Sequence, residues 1–223
     1  MRSSSALSAS MPKGFTLIEL LVALTVMAVM AVMSWQGIDA MSRTQSQSRE
    51  RSQQVMSFQT GLAQWTTDLD AQVQLPQIAS LDWNGRALRL IRTGSSADEG
   101  YWVVAWASRF ENDQSRWLRW QSPPVRTRRE LQEAWMQAGQ WTQNPGDEQK
   151  KREVAIAPLS QWQLFYFRQN AWTSPLSSDS AAAGNTPAAP DGIRLILTLP
   201  SGNAPSGVLT RDWIRPTFGA SKS

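Results

Sequence analysis

From Phe15 to Trp35 the chain is apolar apart from Thr16, Glu19, Thr25 and Ser34. A helix of that length, rising 1.5 Å per residue, is about 30 Å long, the thickness of a bilayer's hydrocarbon core. No proline occurs between Phe15 and Pro76, so the helix is free to continue beyond the membrane. A chain that opens this way is expected to cross a membrane once and to fold the rest of its length outside it. Glu19 is the anomaly. An acidic side chain within a membrane helix costs about 2.5–3.5 kcal/mol, and something must offset it. If the chain is cut between Gly14 and Phe15, the new α-amine lies four residues before Glu19. That is about one helical turn, close enough for the two charges to neutralise each other. The same pair can form between neighbouring copies of the helix. The competing reading is an ordinary signal anchor with a stray glutamate. No small-x-small site follows the apolar run, which argues against standard secretory cleavage.

The segment Gly14-Phe15-Thr16-Leu17-Ile18-Glu19 resembles the class III signal of type IV pilins and type II secretion pseudopilins. The resemblance implies that a prepilin peptidase cuts after Gly14 and N-methylates Phe15. It also implies that Glu19, the acidic fifth residue of the mature chain, acts in assembly. Residues 1–14, short, serine-rich and carrying Arg2 and Lys13, are then the leader, and residues 15–35 the transmembrane helix.

Composition narrows the chemistry of the remainder. The chain has 223 residues and a formal charge of +4, part of which leaves with Arg2 and Lys13, and no basic block points to nucleic acid. It has no Cys, so an exported domain must rest on its core rather than on disulfides. It also has no His. Together these absences exclude imidazole and thiolate metal sites and Ser-His-Asp or Cys-His catalysis. Tryptophan, at twelve copies, is abundant and can fill a core or anchor an interface.

Residues 36–77 read as the continuation of the long helix. Residues 42–54 are polar, a solvated neck. Beyond them Val55, Phe58, Leu62, Trp65, Leu69 and Val73 recur every three or four residues, one stripe of an amphipathic helix that Pro76 should end. Residues 78–216 read as a β-rich domain. Asn84-Gly85 signals a hairpin, and residues 101–109 form a strand with Trp102, Val104 and Trp106 on one face. Residues 116–121 are its partner strand, 129–141 a short helix, and 154–168, 193–199 and 208–214 further strands. Residues 174–190, rich in Ser, Ala and Pro, are a flexible loop, and 217–223 a tail. The expected fold is α+β, with the long helix, transmembrane in its first half, packed on antiparallel β-sheet.

No catalytic constellation is apparent, and no enzyme activity, cofactor or metal is assigned. Asp68 and Asp70 are two residues apart on a helix and point to different faces, which makes them poor acid–base partners. Asp98-Glu99 and Glu111 with Asp113 offer hard oxygens of the kind calcium takes, and read equally as solvated loop charges. Trp102 and Trp106 are expected to face the helix stripe. Trp135, Trp141 and Trp172, near turns, are candidates for exposed contacts.

The second half carries a finer resemblance. Residues 58–74 (FQTGLAQWTTDLDAQVQ), 83–92 (WNGRALRLIR), 115–120 (SRWLRW) and 161–172 resemble the J-type minor pseudopilin of type II secretion. The tryptophan-rich loops and residues 174–190 depart from that pattern. The resemblance implies a pilin-like fold, a bacterial inner-membrane anchor with the C-terminal domain in the periplasm, and a tip complex with I-type and K-type minor pseudopilins. A minor pilin of a type IV pilus, serving adhesion, motility or DNA uptake, remains the alternative.

Overall fold

The computed structural model describes residues 14–216 except 77, 95, 97, 98, 112, 177–188 and 203. The expected leader up to residue 13, most of the expected loop at 174–190, and the expected tail at 217–223 therefore lie outside the described residues. The chain divides into two units, Met1–Glu50 and Arg51–Ser223. Helix α1, Leu17–Asp70, runs through the boundary between them.

In the first unit the apolar residues of α1 have no protein cover. Leu17 is 81% exposed and Met33 67%. This stretch is long and apolar enough to cross a membrane. The helix persists through the polar residues after Met41, all of them exposed up to Glu50.

The second unit is built on two antiparallel sheets. The first has the order β1-β2-β3-β4-β5, a meander of Leu81–Trp83, Ala87–Thr93, Tyr101–Glu111, Gln114–Gln121 and Glu153–Pro158. The second has the order β7-β6-β8-β9, from Ala171–Thr173, Gln161–Arg168, Gly192–Leu199 and Gly207–Ile214. Between β4 and β5 stand α2, Arg128–Gln143, and the single turn α3, Asp147–Lys150. The hairpin signal at Asn84-Gly85 forms as expected. Asn84 Oδ1 accepts from the Arg86 and Ala87 amides at 3.0 and 2.9 Å, and Gly85 takes φ +86°, a conformation other residues resist.

Alternation along the strands sends alternate side chains to two cores. Leu88, Leu90, Val104, Trp106 and Trp117 pack with Phe58, Trp65 and Leu69 of α1. Ala87, Ile91, Val103, Ala105, Leu118 and Trp120 pack with Leu131, Ala134, Ala138 and Trp141 of α2. The first sheet is thus the middle layer between two helices. The second sheet adds Leu164, Tyr166, Ile193, Leu195 and Leu197 to the α1 core.

The expected α+β class forms, with the antiparallel strands divided between two sheets, and three expectations on single elements need correction. After Pro158 the Leu159 amide still bonds the Ser115 carbonyl of the first sheet, whereas the next amide, Ser160, bonds Thr198 of the second. One apolar run therefore supplies strands to both sheets. The helix ends at Asp70, not at Pro76. The Val73 amide bonds the Ile91 carbonyl at 3.0 Å and the Thr93 amide bonds that of Ala71 at 3.0 Å, so β2 captures the chain before the proline acts. Trp141 is fully buried, because α2 covers the far face of the first sheet. Trp106 faces α1, but Trp102 is only half-buried, its ring 5.6 Å from the Arg92 guanidinium.

The stripe on α1 includes Gly61, which is buried against β5. A Cβ there would collide with Ile156 Cγ2. Gly61→Val should therefore destabilise this unit by about 1–3 kcal/mol, the usual cost of overpacking. Chemical denaturation measures it, and an unchanged midpoint would mean that α1 does not seat on β5 at this point.

Candidate functional site

The first turn of α1 brings together the residues singled out at the N-terminus. Leu17 is the first helical residue, with Gly14–Thr16 as non-helical chain before it. Thr16 thus stands at the cap and Glu19 three residues on, the spacing of a capping box. The Glu19 amide donates to Thr16 Oγ1 at 3.4 Å and to the Thr16 carbonyl at 3.1 Å. Thr16 Oγ1 in turn donates to Glu19 Oε2 at 3.5 Å. A carboxylate here also meets the positive end of the helix dipole, worth about 0.3–1 kcal/mol. That is a minority of the 2.5–3.5 kcal/mol that an acidic group costs in a membrane. A positive charge is still called for, and an amine at Phe15 would lie on the adjoining turn. The Thr-x-x-Glu spacing was legible in the sequence, though the charge pair drew attention away from it.

Gly14 is exposed, and a Cβ built on it meets nothing within 4 Å. The fold of the chain itself therefore has no need of glycine at this position. Phe15 is 85% exposed. The bond between them is accessible chain ahead of a helix.

The acidic pair on α1 is committed elsewhere. Asp68 is fully buried. Arg119 grips it with two hydrogen bonds, Nε to Oδ2 at 2.7 Å and Nη2 to Oδ1 at 2.8 Å. Trp106 Nε1 donates to Oδ2 at 3.0 Å and Gln64 Nε2 to Oδ1 at 2.9 Å. Arg92 Nε stands at ion-pair distance, 3.5 Å. The last turn of α1 carries no basic residue, and a carboxylate there opposes the helix dipole. The first sheet supplies the cations instead. Asp70 points elsewhere, as its spacing predicts, and accepts from Trp213 Nε1 at 2.7 Å. With its lone pairs filled, Asp68 fastens α1 to β3 and β4.

A second cluster fastens α2. Glu153 accepts from Arg109 Nη2 at 2.6 Å and from Trp141 Nε1 at 2.6 Å. Burial alone would lower the pKa of Arg109, but hydrogen bonds and charge from Glu153 and Glu111 outweigh it and hold the pKa above its ordinary value. Glu111, weighed above as a calcium ligand, is bound to Arg109 Nε at 2.6 Å. Its companion Asp113 occupies the β3–β4 turn with φ 61°. Glu99 has partners of its own, and Asp98 lies outside the described residues. Among the described residues no three acidic side chains gather as a metal site would need. Neither cluster was anticipated. The signal was there in Arg119, which shares the inward face of β4 with Trp117 and so required a buried carboxylate opposite.

Residues 10–35 match the family model described as the prokaryotic N-terminal methylation motif. No curated protein matches the chain. The matched residues span the Gly14–Phe15 bond, the Thr16–Glu19 cap and the apolar run to Trp35, and they support a type IV pilin-like or pseudopilin family.

Proposed function

We propose that this chain is a J-type minor pseudopilin of a type II secretion system. In this reading it joins I-type and K-type minor pseudopilins in the complex that initiates and tips a periplasmic pseudopilus. The observation that carries the reading is the methylation motif at residues 10–35, seated on an accessible Gly14–Phe15 bond. The choice of the J type rests on residues 58–74, 83–92, 115–120 and 161–172, which supply the buried stripe of α1 and the strands β2, β4 and β6 that it meets.

The mechanism follows from the helix. A prepilin peptidase cuts after Gly14 and methylates Phe15. Residues 15–35 stay in the inner membrane, and the unit from Arg51 onward folds in the periplasm. Withdrawal from the bilayer removes lipid contacts, and packing against other apolar helices replaces them. A carboxylate moved among apolar helices is penalised unless it meets a positive charge, so Glu19 and a Phe15 amine set axial register. The role is assembly, and no catalytic step is assigned.

Gly14→Val should leave the protein uncut, since a branched side chain intrudes where a peptidase needs backbone access, while the open space around Gly14 leaves folding unaffected. Immunoblotting should show only the precursor, and secretion should not be restored in a strain lacking the gene. Normal processing of this variant would exclude cleavage at Gly14. Co-purification with the other minor pseudopilins tests the finer assignment. Association with pilus subunits instead would favour the type IV pilus reading.

A further inference from the structure

Every described tryptophan after Trp35 is buried or half-buried, whereas Trp35 itself is 75% exposed. It stands where the apolar run ends. Counted from Leu17, where the helix begins, it lies eighteen residues along, about 27 Å, close to one hydrocarbon thickness. Ile38, 68% exposed, follows one turn on beside it, and Met41, 74% exposed, stands beside Ile38 further round the helix. Asp39, the other neighbour one turn beyond Trp35, forms an ion pair of 2.8 Å with Arg43, a further turn on. After Met41 the helix is polar to Gln54.

We propose that Trp35 is the interfacial anchor of α1 and fixes how deeply the helix sits. Its ring lies at the headgroup level opposite the Phe15 end, and Ile38 rests just beyond it. Indole suits that position because it joins an apolar body to one N–H donor that water or a headgroup can satisfy. The occupant of this face is lipid rather than a neighbouring helix. At this level Trp35 and Ile38 present bulky side chains, whereas helix partners in membranes prefer small residues at their closest approach, so the headgroup layer is the occupant that indole chemistry fits. The Asp39–Arg43 pair then marks the first fully aqueous turn. The inference rests on the membrane-anchored reading of residues 15–35 and adds to it a depth and the residue that sets it.

The absence of cysteine makes the test direct. Single-cysteine variants of the full chain are reconstituted alone in vesicles of phosphatidylethanolamine and phosphatidylglycerol and exposed to a membrane-impermeant maleimide. Leu24→Cys should not react, and Met33→Cys should react about tenfold more slowly than Arg43→Cys, as expected across an interface. Adding Trp35→Gln should blur this step and raise labelling of Met33→Cys several-fold, whereas Trp35→Tyr should preserve it. An unchanged step in the Trp35→Gln protein would overturn the anchor while leaving the membrane span intact. Protection of Met33 and Ile38 that appears only when another pilin-like subunit is added would overturn it too, by showing that a helix covers the face. A readily labelled Leu24→Cys would overturn the span and the anchor together.

Discussion

Asp68→Ala should cost the unit beginning at Arg51 about 3–5 kcal/mol, the usual penalty for breaking a buried ion pair by removing one partner. The size follows from what is left behind. Arg119, held at 2.7 and 2.8 Å from the carboxylate, and Arg92, at 3.5 Å, would face each other across a fully buried site with no anion between them. Trp106 Nε1 and Gln64 Nε2 would lose their acceptor as well. With domain stabilities of about 5–15 kcal/mol, this is a large share of the total. At about 2–4 °C per kcal/mol for a unit of this size, the melting temperature should fall by about 6–20 °C. Pairing Asp68→Leu with Arg119→Met should recover part of the loss, because an apolar pair leaves fewer stranded charges than half an ion pair does. A melting temperature unmoved by Asp68→Ala would show that α1 is not fastened to β3 and β4 through this carboxylate.

Glu19→Leu should abolish assembly without abolishing anchoring. The substitution removes the one formal side-chain charge in the apolar run. Insertion should become easier, by up to about 2.5–3.5 kcal/mol and by less than that because Glu19 lies near one end of the run. The Thr16 cap would lose its carboxylate partner, worth only a fraction of that gain. On the proposed processing, what is lost is the counter-charge of the Phe15 amine. A helix bundle of low dielectric would then hold an uncompensated cation. The variant should fractionate with membranes, be processed normally, and fail to recover its partner subunits in crosslinking or co-purification. Wild-type recovery of partners would remove the charge-pair account. Loss from the membrane fraction would mean that the insertion energy has the opposite sign.

The physical basis of the fold explains what could be read in advance. The membrane-length helix, the stripe of Phe58, Trp65 and Leu69, the Asn84-Gly85 hairpin and the β3–β4 pair are governed by local rules of periodicity and turn chemistry, and all are found in the structure. The short helix at 129–141 forms as α2, with one turn more order than its apolar residues alone required. Its Thr127–Glu130 capping box fixes the start, and hydrogen bonds from the Arg126 and Thr127 amides hold the Glu130 carboxyl below its ordinary range. Long-range relations were not legible in this way. Nothing in residues 154–168 separates a strand of the first sheet from one of the second, because both are apolar and the step between sheets falls in two backbone bonds at Leu159 and Ser160. Trp141 could not be told from an exposed tryptophan while the outer face of the first sheet had no known cover. Asp68 could not be recognised as a buried ion-pair partner, because the residues it bonds stand 51 and 38 residues away in sequence. At the N-terminus the residues that the methylation motif covers were legible one by one, since the pattern is local: a glycine, an apolar residue after it and an acid about one turn further on.

The central claim is that the functional protein begins at an N-methylated Phe15, created by cleavage after Gly14. Mass spectrometry of the protein isolated from membranes tests it most directly. The account predicts a single N-terminal peptide starting at Phe15 and carrying one methyl group on its α-amine. A mature protein that begins at Met1 or Met11, or at an unmodified residue elsewhere in the leader, would contradict it.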